Sequence, residues 1–189
     1  MLVCLIQVSY MIGDDRHGAS QGPQCYMQAG VEKLLVARGA AVAVERIERG
    51  EPFRDSATAS LAVNKQLAPI VRQATAAGQF PLVLAGSCDV SMGILAGFDH
   101  ERCGVVWIDA HGDFNTPEST ISGFFAGMSL AVITGHCYQN LWAQIGDSAP
   151  ISEEATLILG ARDLDPAERE RLERSAIQVV HWHEGKPQV

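Results

Sequence analysis

A chain of 189 residues with 47% hydrophobic, 19% charged and 6% aromatic side chains is the size of one globular domain and can bury roughly 70% of its unfolded surface. Twenty-two acids against fourteen bases leave a formal charge of −8, and no stretch is densely basic, which speaks against nucleic acid or an anionic membrane as partner. No apolar run reaches the ~18 residues of a membrane span, the N-terminus lacks the features of a signal peptide, and five scattered cysteines without a CxxC pair argue for a reducing cytoplasm and against a disulfide framework.

Residues 2–8 (LVCLIQV) form a short apolar run suited to a strand covered on both faces. After a turn-rich stretch from Gly13 to Pro23, Met27, Val31, Leu34 and Leu35 fall on one face of a helix that Gly39 would end. Residues 41–47 (AVAVERI) read as a second strand. Val63, Leu67, Ile70, Val71 and Ala74 make another helical stripe, with a kink or break expected at Pro69. Residues 81–85 (PLVLA), 104–108 (GVVWI) and 155–160 (ATLILG) read as buried strands and 176–182 as a weaker one, with helices at 90–97 and 122–135 between them. A last helix opens with Asp165 as N-cap, Pro166 at N1 and Glu168 at N3, a variant capping box. This alternation predicts an α/β fold, a parallel sheet with helices on both faces, as a single domain over residues 1–189.

In open parallel sheets, ligands sit beyond the carboxyl ends of the strands. Three loops qualify: Gly86-Ser87-Cys88-Asp89, Asp109-Ala110-His111-Gly112-Asp113 and Ala161-Arg162-Asp163-Leu164-Asp165. In an extended DAHGD segment, Asp109, His111 and Asp113 would project to one side. Oxygen and nitrogen donors of this kind suit a divalent ion such as Mn²⁺, and an Asp could bridge two ions. The same carboxylates could instead cap helix 122–135 or pair with Arg102 or Arg162. Cys88 could be a buried inert thiol, His17 a solvated loop residue and Trp107 a core residue. His181 and His183, two apart in a strand, share a face but have no third ligand nearby in sequence.

The segments LVLAGSCDVSMG, VVWIDAHGDFNTPE, ISGFFAGMSLA and LGARDLDP resemble the successive motifs of the ureohydrolase family, which includes arginase, agmatinase and formimidoylglutamase. The resemblance implies a three-layer α/β/α sandwich with a mainly parallel sheet, hydrolysis of guanidino or formimino compounds at a two-manganese centre, and a homo-oligomer. It implies Asp109 as the bridging ligand, His111 and Asp113 completing one ion each, Asn115 and Ser122 at the amino-acid end of the substrate, and Asp163 and Asp165 near its entrance. Cys88 stands where the family has a histidine ligand, so Zn²⁺ is possible and fewer or weaker ions are expected.

Ala126 stands where the family has a proton-shuttling histidine. The family's later SxDxD motif and a later glutamate do not occur within the 189 residues, so the chain reads as a short form or fragment lacking the C-terminal part of the fold. An unpaired edge at 176–182 would favour self-association. Two readings stay open: a metal-dependent hydrolase of C–N bonds in linear amidines with no assigned catalytic residue, or a non-catalytic member acting as a metal-binding or interaction module.

Overall fold

The structure, a computed structural model, describes residues 1–12, 18–47, 53–98, 103–146, 149–183 and 186–188; His17 and Arg102 lie outside them. The chain divides into two compact units, Met1–Phe98 with Gln144–Gly146, and Asp99–Ala143 with Asp147–Val189.

In the first unit, β1 (Leu2–Val8) lies between β2 (Ala41–Ile47) and β3 (Phe80–Ala85), all parallel. Val3, Cys4, Leu5, Ile6 and Val8 are buried on both faces of β1. Each large aliphatic side chain so covered contributes roughly 1.5–3 kcal/mol, which places this run at the centre of its sheet. Helix α3 (Ser56–Ala76) is N-capped by Asp55, whose Oδ1 accepts from the Thr58 amide at 2.8 Å. Its stripe Ala59, Val63, Leu67, Val71 and Ala74 packs on Cys4, Ile6 and Val8. The break expected at Pro69 does not occur. The proline is on the exposed side of a continuous 21-residue helix, and the buried stripe opposite holds the turns together despite the lost amide.

The single helix expected up to Gly39 is two short ones, α1 (Gly22–Gln28) and α2 (Val31–Ala37). Gly30, at φ 87°, separates them in a left-handed conformation. The proposed apolar face is not a core face either: Leu34 is 58% exposed and no residue of α2 is buried.

Helix α4 (Ser91–Ala96) approaches α3 closely. A Cβ on Gly93 would lie 2.6 Å from Asn64 Oδ1, which instead accepts from the Gly93 amide at 2.7 Å. Asn64 Nδ2 donates to the carbonyl oxygens of Ser60 (2.9 Å) and Asp89 (3.0 Å). The buried Asp89 carboxylate accepts from Tyr10 Oη at 2.9 Å and from Ser87 Oγ. This polar cluster, which hydrophobic patterning cannot reveal, anchors the turn that carries Cys88.

In the second unit, β4 (Val105–Ile108), β5 (Thr156–Ala161) and β6 (Gln178–His183) are parallel, and β7 (Lys186–Gln188) runs antiparallel to β6. The expectation of a buried strand at 104–108 holds on one face only. Val105 is buried, but Val106 and Ile108, which share the opposite face, are 59% and 79% exposed. The edge expected to stay unpaired at 176–182 is paired at its end only, where residues 186–188 fold back on His181–His183 with Trp182 opposite Pro187. Proline lacks an amide to offer a further strand and suits an outer position.

The helix expected at 122–135 is a 3₁₀ turn at Phe125–Met128 followed by the fully buried α5 (Ser129–Ile133). Gly123 at φ 69° keeps the preceding residues in a loop. Helices α6 (Gln139–Ile145) and α7 (Pro166–Glu173) complete the described helices. At α7 the capping box forms by half. Asp165 makes no side-chain cap, while the Glu168 carboxylate receives a hydrogen bond from the Asp165 backbone.

Parallel strands alternating with helices make this the α/β fold expected from the sequence. All five cysteines are free thiols, and burial pushes Cys137 up to about 11, which makes it an inert packing residue. Among the described residues no helix is long and apolar enough to cross a membrane.

Burial pushes the Asp89 carboxyl upward, opposed by hydrogen bonds from Ser60, Ser87 and Tyr10. A carboxyl raised in the folded state favours folding fully below its unfolded value, and that contribution is lost as pH rises through the folded value. Asp89→Asn keeps an acceptor oxygen without the charge. It is expected to melt above the parent at neutral pH and to lose that advantage below about pH 4. Melting curves across this range check the sign; a lower melting temperature at neutral pH would show that the ionised form is the stabilising one.

Candidate metal centre and substrate cleft

Strand β4 ends at Ile108, and the next peptide is still held by its neighbour, the Asp109 amide donating to the Leu159 carbonyl oxygen at 3.1 Å. Asp109 Oδ1 accepts from the His111 amide at 3.0 Å and faces His111 Nδ1 at 3.1 Å. An aspartate that folds its carboxylate onto the amide two residues on makes a local turn, so DAHGD is a compact loop and not an extended segment. The Ala110 carbonyl oxygen accepts from the amides of Arg162 (2.8 Å) and Asp163 (3.0 Å), tying this loop to the one that follows β5.

Asp113 is buried and sits at φ 47°, a left-handed conformation that aspartate tolerates better than most residues. Its carbonyl oxygen accepts from the amides of Leu130 (2.9 Å) and Ala131 (3.2 Å), two of the donors left open at the start of α5. The start of α5 is thus capped by the backbone of the loop and not by a side-chain carboxylate as in the capping alternative. Arg162 Nη1 donates to the Gly160 carbonyl oxygen at 3.0 Å.

Carboxylate oxygens of Asp109 and Asp113 lie within 4.8 Å of one another. With the His111 imidazole 3.1 Å from Asp109, these are hard oxygen donors and a borderline nitrogen, a set that fits Mn²⁺. Folding, not extension, brings the two carboxylates together, and His111 meets the pair through Asp109.

One face of α7 grips the loop from beneath. Glu168 Oε1 accepts from the Phe114 amide at 2.9 Å. Asp165 Oδ2 accepts from Asn115 Nδ2 at 3.1 Å. Arg171 donates from Nε to the Phe114 carbonyl oxygen at 3.4 Å and stands 5.4 Å from the centre of its ring. Burial raises the Glu168 carboxyl, while the Phe114 and Asp165 amides oppose the shift.

Above lies a cleft of about 240 Å³ lined by His111, Asp113, Asn115, Thr120, Ser122, Phe124, Gly127, Asp163, Asp165 and Glu168. Six of the residues singled out in the sequence as site residues therefore share one cleft: His111, Asp113, Asn115, Ser122, Asp163 and Asp165. Asp163 stands at its rim, 84% exposed at the side chain, with a carboxylate oxygen 3.8 Å from His111 Nε2. Asp109 belongs to the same loop.

Cys88 is in the first unit, half-buried at the start of a 3₁₀ turn. Ala126 is buried and does not line the cleft. His181 Nδ1 faces the Ala161 carbonyl oxygen at 3.1 Å, an ordinary structural contact. Thr120 and Phe124 are lining residues that the sequence reading did not single out. The only signal for them was their place in the segment between DAHGD and Gly127.

Comparison with known proteins accords with this geometry. The arginase family model matches residues 2–188. The arginase of Bacillus caldovelox is 34% identical over an alignment of 195 residues that covers 96% of this chain and 65% of that protein. The arginase of Bacillus subtilis (strain 168) is 33% identical, over 96% of this chain and 64% of its own. A crystal structure of Bacillus subtilis arginase superposes with a TM-score of 0.85 over 96% of this chain and 63% of that one, at 33% identity. Formimidoylglutamase from Bacillus subtilis shares the fold at a TM-score of 0.67 and 15% identity, covering 95% of this chain and 54% of that one. The chain thus spans 64–65% of the length of these curated relatives.

Asn115 is buried between two partners, Asp165 Oδ2 at 3.1 Å and Ser119 Oγ, which donates to its Oδ1 at 2.8 Å. Asn115→Ala leaves Asp165 without this donor and is expected to cost about 1–3 kcal/mol of stability. Asn115→Asp is expected to cost more at neutral pH, because it faces one carboxylate with another. Denaturant unfolding of both variants gives the order directly.

Proposed function

The chain belongs to the arginase family, and on that premise we propose that its second unit holds a divalent-metal centre serving hydrolysis of a C–N bond in a guanidino or formimino compound. The observation that carries this reading is the carboxylate pair Asp109 and Asp113, with oxygens within 4.8 Å, beside the acid-lined cleft. Asp109, His111 and Asp113 would hold the metal. Carboxylates and imidazole favour Mn²⁺, whereas a thiolate such as that of Cys88 would favour Zn²⁺. A divalent ion bound there supplies a water of lowered pKa as nucleophile.

The chain's own residues do the rest. Asp163, Asp165 and their neighbours draw a cationic amidine into the cleft. Asn115 and Ser122 offer an amide and a hydroxyl to the polar end of the substrate. Asn115 is already fixed by Asp165 and Ser119, so little ordering is required when it binds.

A second reading has its own support in Ala126. Its methyl is buried and can neither give nor take a proton, and loss of one general acid or base typically costs 10²–10⁴-fold. The centre would then bind metal and amidine with little turnover.

Manganese titration by calorimetry, with urea release from arginine and agmatine, tests both readings. The parent is expected to bind Mn²⁺, and Asp109→Ala to lose most of that affinity. Urea release is expected far below the roughly 10 s⁻¹ typical of enzymes. Equal metal content in parent and variant would refute the centre, and turnover near the enzyme median would dismiss the second reading.

A further inference from the structure

We propose that Glu168 is a positioning residue for the metal loop, holding the peptide plane that aims Asp113; this rests on the metal-centre reading above. The peptide between Asp113 and Phe114 has two polar ends, and both are held. Its oxygen accepts from the amides of Leu130 and Ala131 at 2.9 and 3.2 Å. Its N–H donates to Glu168 Oε1 at 2.9 Å. Orienting this plane sets ψ of Asp113, and φ is already in the left-handed region at 47°. With both backbone angles set, the root of the Asp113 side chain has one direction relative to Asp109.

The Glu168 carboxylate is committed to this task. Its side chain is buried and also receives the Asp165 backbone hydrogen bond. Gly112 lies directly on it: a Cβ there would come within 2.9 Å of Glu168 Oε1 and 3.0 Å of Leu172 Cδ1. A Cβ at the fourth position of DAHGD would therefore have to displace the ends of the Glu168 and Leu172 side chains. A neutral acceptor at Glu168 Oε1 suffices to hold the plane, because what the Phe114 amide requires is an oxygen at the right place.

The test combines a metal-free readout with a metal-dependent one. Amide exchange at Phe114, followed by NMR on the full metal-free chain, reads the clamp. Mn²⁺ affinity, followed by electron paramagnetic resonance, reads its consequence. Glu168→Gln, which keeps the acceptor, should retain both Phe114 protection and affinity. Glu168→Leu, of similar size without an acceptor, should lose Phe114 protection and weaken Mn²⁺ binding by about tenfold or more, as loss of an outer partner of a metal site typically does.

Should Glu168→Leu not fold, Gly112→Ala supplies the same displacement from the other side, with the same two losses expected. Affinity unchanged in the acceptor-less variant, or equal loss in Glu168→Gln, overturns the proposal. A parent that binds no Mn²⁺ while its Phe114 amide is protected overturns the metal-centre reading and the positioning role with it, and shows that the clamp itself is not at fault.

Discussion

The peptide plane between Asp113 and Phe114 receives two amides on its oxygen and gives its own N–H to a buried carboxylate. Helix α5 has five residues, far fewer than a helix needs to persist alone, and its first amides find their acceptor in this plane. A left-handed aspartate costs about 1–2 kcal/mol, and two hydrogen bonds at about 0.5–1.5 kcal/mol each offset it. The candidate metal loop and the packing of α5 and α7 are therefore one arrangement. A change to the loop's conformation would leave α5 uncapped and the Glu168 carboxylate buried without its partner.

A similar division of labour appears in the first unit. Apolar faces of β1 and α3 supply the bulk of the burial, but they leave the turn after β3 undetermined. Asn64 and Asp89 settle it through hydrogen bonds to backbone and hydroxyl groups in a space closed to water. Buried polar groups of this kind contribute little net energy and much geometric specificity, because each misplacement leaves a donor or acceptor unsatisfied. Gly93 allows the approach that makes the cluster possible.

Ala126 and Cys88 have backbone roles of their own. The Ala126 carbonyl oxygen accepts from Ser129 Oγ at 2.6 Å at the entry to α5, so the backbone at this position still serves the helix although the side chain carries no proton. The Cys88 carbonyl oxygen accepts from Ser91 Oγ at 2.5 Å, closing the 3₁₀ turn into α4.

The order and type of the strands were determined by sequence alone, because alternation of apolar runs with helical stripes is a local property and each run carries its own period. DAHGD, its motif context and the loops at the strand ends were legible for the same reason, and so were six of the cleft residues. Tertiary structure decided what no local period encodes. Gly30 split one expected helix, the buried stripe of α3 carried it past Pro69, residues 186–188 paired with the end of β6, and one face of β4 was left with Val106 and Ile108 exposed. It decided the site's working geometry as well. Asp165 reads as an N-cap and Glu168 as its partner, yet their carboxylates reach Asn115 and Phe114, fifty and fifty-four residues away in the chain. Which donor a carboxylate serves depends on the groups that folding brings within about 3 Å, and a linear pattern contains no measure of that distance.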